Sequence, residues 1–455
     1  MDSKEEIKEE KFYNIVSGLE RANIRLYQFS LLVLYPSGFW KYYTIYGFIL
    51  TDIIGVYFLI SGAVAIYQQL DDIFVLFEVV HAYMLLMAIL TNLNDFHVLR
   101  KMRNFWYKLL DLCKEDFFEY ECESVKKESA RLRSLSKKYM KWFFNIFQYG
   151  IFVTLMMVMV VIPLVRLYLN EEQKNNNTAF NIYLPLSVWS PFNSRTVAGF
   201  TFIYSLMFVY ASLLLVIMLV YISTIFYFYM ELIIQLRILC YALQKHDERL
   251  KLLTLQVTKI ENINSSSTHT YSENVEHNNY CITQILKEPI MHYLKIREFF
   301  NVFQESSSFF FGLMLTVNML VIVAMSLLLT RIDSILTVDG LKFGMIFSFE
   351  VMNIFIYTYS GSMLIEESRQ VQKYLYSIDW YGFNSNQKRI LNIFQGQSAS
   401  KFLLMAAGLY EINLDTFIQC NKSATFNHNN SLKNSKLKLT PVTPTFNPHK
   451  LCRND

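Results

Sequence analysis

The sequence predicts an all-α integral membrane protein with six strong transmembrane helices, an incomplete seventh and helical cytoplasmic extensions. Three observations predict it. The 455 residues are 53% hydrophobic and only 18% charged, with a mean hydropathy of +0.24, where about 25% charged is usual for a soluble chain. The apolar residues cluster into runs of the roughly 20 residues a bilayer crossing needs. Lys and Arg are excluded from those runs and alternate between the links that join them.

The runs occupy residues 43–68, 72–93, 143–164, 200–226, 309–329 and 343–365. Each is too long for a strand and too evenly apolar for a one-sided surface helix. Backbone groups in lipid must be satisfied within their own segment, so the runs are expected to be helices. Residues 1–42 carry six Lys and Arg, 94–142 twelve, 227–308 eight and 366–401 five. The links at 165–199 and 330–342 carry three and two. The positive-inside rule therefore places the N-terminal segment 1–42 and the rich links in the cytoplasm. The second outer loop is then 165–199, and Asn176, in an Asn-Asn-Thr sequon, is its candidate glycosylation site. Within the long cytoplasmic loops 94–142 and 227–308, residues 105–141 and 284–303 keep helical spacing, and 260–280 reads as a flexible Ser/Asn-rich insert.

Composition also excludes. A net charge of +4 is too small to argue for nucleic acid. No zinc-protease, Walker or nucleophile-elbow motif occurs, and the eight His are scattered. Neither enzyme activity nor a cofactor or metal is expected.

Ionisable residues inside spans are functional candidates by default. Asp52, Glu78, His81 and Glu350 are such residues, and satisfied burial in the bundle is the plainer reading for each. The outer halves of the spans hold aromatic and Met residues suited to an adaptable apolar pocket. His81, Tyr83, Met156, Met157, Tyr204, Phe208 and Met325 are the candidate ligand contacts, although the same residue types serve ordinary helix packing.

Two late stretches carry a resemblance: GSMLIEESRQVQKYLYSIDWY from Gly361 and KFLLMAAGLYEINLDTF from Lys401. Gly361, Leu364, Ser368, Tyr376, Asp379, Trp380, Ala407, Gly408, Asn413, Leu414, Thr416 and Phe417 fit the C-terminal signature of insect odorant receptors. Leu184-Pro185, Trp189-Ser-Pro191-Phe192 and His292 fit too. The resemblance implies seven helices with the N-terminus inside, a small volatile odorant bound in an outer-leaflet pocket, and a ligand-gated cation channel. It also implies a likeness to heterotetramers containing a shared co-receptor, in the plasma membrane of olfactory neurons. A gustatory receptor of the same superfamily is the nearest alternative. A G-protein-coupled receptor would need the opposite orientation.

The family's seventh helix begins at Asn413-Leu-Asp-Thr-Phe417, but here the apolar run ends three residues later. Residues 421–455 contain seven Asn, five Lys and three Pro and cannot cross a bilayer. The polar tail 418–455 is expected to remain cytoplasmic, and its abrupt onset inside a family element reads as a replaced final segment. Residues 366–417 are expected to form a cytoplasmic helix and the start of the seventh.

Overall fold

The computed structural model describes residues 31, 39–68, 73–114, 117–168, 184–185, 188–191, 193, 196–264, 271–329, 337–419 and 422. Ten α-helices, a small hairpin and a short helical stretch at 414–419 are found among them. In chain order the helices are α1 Phe39–Gln68, α2 Ile73–His97, α3 Lys101–Lys114, α4 Glu123–Met156, α5 Ile162–Tyr168, α6 Val197–Gln244, α7 His246–Asn264, α8 Tyr271–Leu329, α9 Val338–Tyr376 and α10 Ser385–Ser398. A π-helical segment, Met157–Val161, joins α4 to α5. Strands β1 Met405–Ala406 and β2 Tyr410–Glu411 pair antiparallel, with Ala406 opposite Tyr410.

Six helical stretches among the described residues are long and apolar enough to cross a membrane, and each overlaps one of the expected runs, the run at 143–164 being shared by α4, the π-helical segment and α5. Most extend well beyond their runs, since α4 starts at Glu123 and α8 at Tyr271. Residues 260–264 and 271–280 are helical, so the insert reading survives at most for 265–270, which lie outside the described residues. Asn176 also lies outside them.

Burial sorts the helices. α6 is central: from Ile217 to Ile225 every residue is buried, and its partners are α4, α8 and α9. α1 is peripheral and shows Ile45, Ile49, Ile53, Val56 and Ile60 at its surface. An apolar stripe of that length on an outer helix is a lipid-facing surface, because water would make it an aggregation site. Thr196 caps α6 and Thr337 caps α9, each accepting a bond from the amide three residues on. Lys342, counted to the outer link by sequence, lies on α9 just before the run at 343–365 and is fully buried, with Nζ donating to the Pro185 carbonyl at 3.3 Å.

The hairpin stands within residues 366–417, where the sequence reading expects only a cytoplasmic helix and the start of the seventh. Ala407 and Gly408 adopt φ of 51° and 71°, the left-handed region a tight turn requires, and only the glycine does so without strain. The hairpin lies between α8 and α9. Gln304 bonds both the amide and the carbonyl of Met405 at 2.8 Å, and the Ala407 amide donates to the Ser308 carbonyl at 2.8 Å. On the α9 side, Ser362 accepts from the Leu414 amide at 2.8 Å and Ser368 from the Phe402 amide at 3.3 Å. Asn413 then caps a helix over 414–419, accepting from the Thr416 amide at 2.9 Å. Residues 420–421 and 423–455 lie outside the described residues.

Candidate functional site

A cavity of about 110 Å³ opens between α1, α2 and α6, at the end where α1 and α2 are joined by the short link and α6 emerges from the longer one. Helical spacing builds its walls. Val79, Ala82, Tyr83 and Leu86 recur at i, i+3, i+4 and i+7 on α2, and Met207, Tyr210, Ala211 and Leu214 do so on α6. Phe58 and Gly62 supply the α1 wall, while Met159 and Val188 close two sides. Small residues on three facing helices, Gly62, Ala82 and Ala211, leave the space that larger side chains would fill. The link is fastened over the cavity by Ser61, whose hydroxyl donates to the Trp189 carbonyl at 2.7 Å.

Two of the lining residues, Tyr83 and Tyr210, carry hydroxyls. That of Tyr210 is occupied, donating to the Thr51 carbonyl at 3.2 Å. That of Tyr83 has no hydrogen-bond partner among the described residues. A mostly apolar cavity with one available hydroxyl can hold a small apolar molecule and orient a single polar group on it.

Of the ligand contacts expected from sequence, Tyr83 lies in this wall. Tyr204 stands just outside it and shapes it, since its hydroxyl donates to the Met159 carbonyl at 2.6 Å. Met159 belongs to the π-helical segment, where the ordinary helical bonding pattern is interrupted and such segments recur at functional sites. Met156, Met157 and Phe208 are half-buried and are not part of the lining. Met325 is buried in a separate cluster with Val317, Val321 and Phe343.

His81 turns away from the cavity. Its Nε2 lies 3.3 Å from Glu350 Oε1, and Glu350 is almost fully buried. Asn318, with its amide nitrogen set toward the carboxylate, donates to Glu350 Oε2 at 3.1 Å. The triad joins α2, α8 and α9, as the plainer reading of these span residues expects. Asp52 likewise accepts from Asn94 at 3.0 Å. The side chain of Glu78 lies outside those described.

The signature residues lie apart from the cavity. Gly361, Ser368, Asn413, Thr416 and Gly408 build the hairpin and its contacts, and Phe417 rests on Phe355 with ring centroids 5.5 Å apart. Leu364 is fully buried, and Trp380 packs against the same core while stacking on Tyr381 at 4.6 Å. Tyr376 and Asp379 are exposed. His292 is fully buried, with Nδ1 at 3.0 Å from the Tyr120 hydroxyl and Nε2 at 3.0 Å from Gln235 Oε1. That arrangement places the ring proton on Nε2. The four described cysteines are free thiols, and no group of His, Cys, Asp and Glu among the described residues could hold a metal ion.

Comparison with known proteins adds three findings. The family described as "7tm Odorant receptor" matches residues 70–425. No curated protein sequence matches. Among solved structures, the insect olfactory receptor OR5 from Machilis hrabei in complex with eugenol is similar, with a TM-score of 0.66 and 11% identity, over 94% of this chain and 99% of that one. A second structure of that receptor gives a TM-score of 0.63 and 11% identity over 90% of each chain. Identity this low speaks for the fold, while the family match covers most of the sequence: the chain belongs to the odorant receptor family.

Proposed function

We propose that this receptor binds small, mainly apolar odorants in the cavity between α1, α2 and α6, with the Tyr83 hydroxyl orienting one polar group of the ligand. The cavity carries this reading, because it combines apolar walls with that unpartnered hydroxyl. Its size sets the ligand class. An apolar protein cavity of about 150 Å³ accepts benzene, so about 110 Å³ suits a small ring or a short chain. Burying roughly 200 Å² of apolar surface at about 25 cal/mol per Å² contributes about 5 kcal/mol, which sets an upper bound on affinity near 0.2 mM before the cost of immobilising the ligand. Eugenol, bound in one similar structure, belongs to the same general class of small, mainly apolar molecule.

Filling the cavity tests the proposal. Ala211→Phe is expected to reduce odorant affinity at least tenfold, read as loss of ligand-induced thermal stabilisation of the purified receptor. Val209→Phe, on the exposed face of the same helix, is the matched control and leaves affinity unchanged. Tyr83→Phe lowers affinity about fivefold for alcohols or ketones and leaves hydrocarbons unaffected, as expected for one lost hydrogen bond. Equal stabilisation of wild type and Ala211→Phe would move the site elsewhere.

The family resemblance supports a further reading: a ligand-gated cation channel with the N-terminus inside, working with a co-receptor subunit in the plasma membrane. In such a channel the seventh helix lines the pore. Here the helix over 414–419 is followed by a sequence too polar to cross a bilayer. Odorant-evoked current through channels containing this chain is therefore expected to be several-fold below that obtained when about 20 apolar residues follow Phe417. Equal currents would overturn the pore reading. In the same cells, an epitope at Met1 is reached by antibody only after permeabilisation if the orientation is right.

A further inference from the structure

The segment RLRSLSKKYMKW, from Arg131 to Trp142, holds five cations and no carboxylate and runs directly into the span at 143–164. It belongs to α4, a single unbroken helix that continues through the span as far as Met156. The cations are thus held in fixed register with the membrane boundary. Lys137, Lys138 and Lys141 fall at i, i+1 and i+4 and share one face, and all three are exposed. None has a described carboxylate within ion-pair distance, whereas Arg131 is engaged by Glu128 on its own helix. Trp142 continues the lysine face and is 64% exposed, and Tyr139 is 58% exposed. An exposed Trp suits the level of lipid headgroups, where one end of the ring is apolar and the other wet.

Distance along the helix separates these lysines from the earlier basic residues of α4. At 1.5 Å per residue, Lys137 lies about 9 Å from the start of the span at Phe143. That is about one Debye length at physiological salt, about 8 Å, so the surface potential of an anionic leaflet is weakened at Lys137 but still acts on all three lysines. Lys126 and Lys127 lie about 24 Å away, beyond that reach, and Lys126 is paired with Glu119.

We propose that Lys137, Lys138, Lys141 and Trp142 form a docking surface for anionic phospholipid headgroups of the adjoining leaflet. The site rests on the reading of 143–164 as a span, and the leaflet is the cytoplasmic one if the N-terminus is inside. The charge run that orients the chain during insertion would on this account also recruit lipid around the folded receptor.

Contact quenching tests the proposal without reference to orientation when the purified receptor is placed in symmetric nanodiscs. Brominated phosphatidylserine and brominated phosphatidylcholine are compared at equal mole fraction, and the Trp142→Phe variant isolates the contribution of Trp142. Quenching of Trp142 is expected to be at least about twofold stronger with the serine lipid. The Lys137→Gln, Lys138→Gln, Lys141→Gln triple variant abolishes that preference, while Lys126→Gln with Lys127→Gln retains it. Equal quenching of wild type by both lipids overturns the docking surface, as does a preference that survives in the triple variant. Absence of quenching by either lipid overturns it too, and places the fault in the span boundary. Poor yield of the triple variant leaves the wild-type comparison decisive.

Discussion

Gly361→Ala is expected to destabilise the receptor by about 3 kcal/mol, at the upper end of ordinary overpacking. A Cβ at this position would stand 2.0 Å from the Ile412 carbonyl oxygen and 2.9 Å from its carbon. Both are backbone atoms, so no rotamer change relieves the overlap. Helix and hairpin must separate instead. The hairpin cannot retreat, because Gly312 on α8 meets its other side, where an added Cβ would lie 2.4 Å from that of Ala407. Separation would also strain the Leu414 amide's bond to Ser362 and expose Ile412, which is fully buried. Gly344→Ala, on the same helix, provides the contrast, since nothing lies within 4 Å of a Cβ there. Its effect is expected to lie between neutral and a gain of about 1 kcal/mol from reduced backbone freedom. Thermal unfolding of the purified proteins reads both. A Gly361→Ala receptor as stable as wild type would mean the hairpin is not seated against α9.

That pair of substitutions shows why the signature was legible and its meaning was not. Gly361, Ser368, Gly408 and Asn413 stand out in the sequence only through the family signature, and the structure supplies the reason for each: close approach, backbone capture, a left-handed turn and a helix cap. Sequence alone did not show that these demands come from one hairpin lodged between two helices. The six spans were legible for a different reason: lipid leaves the backbone no alternative to a helix. The cavity was the least legible feature. Depth along a span can be counted, but the face a residue presents depends on the neighbouring helices. His81 and Tyr83 are at the same depth, yet two residues rotate a helix by about 200°, and they point to different surroundings. Met156 and Met157 narrowly miss the lining residue Met159, and Phe208 stands next to Met207. Gly62, Ala82 and Ala211 are silent in the sequence because a residue that makes room carries no chemistry of its own. Small residues at matching depths in three neighbouring spans were the available signal.

The triad of His81, Glu350 and Asn318 yields the second large prediction, which separates a packing role from a ligand role. His81→Leu leaves Glu350 almost fully buried with Asn318 as its remaining side-chain partner. Removing one partner of a buried polar pair costs about 1–3 kcal/mol, and more where the abandoned group is charged, since that group keeps its desolvation penalty. Glu350→Leu is expected to cost less than His81→Leu, because His81 is partly exposed. Replacing both by Leu removes the need for pairing, and Asn318 can still donate to the Met314 carbonyl at 3.2 Å. The double variant is therefore expected to be more stable than His81→Leu alone, with a coupling of about 2 kcal/mol in a double-mutant cycle. Hydrogen bonds between membrane helices average about 0.6 kcal/mol in such cycles, so a value near that average would reduce the triad to one ordinary polar contact. Odorant affinity of every folded variant is expected to match wild type, because His81 and Glu350 lie outside the cavity lining. A His81→Leu receptor of normal stability but tenfold weaker binding would reverse the assignment, making His81 the polar group that meets the odorant and Tyr83 a bystander.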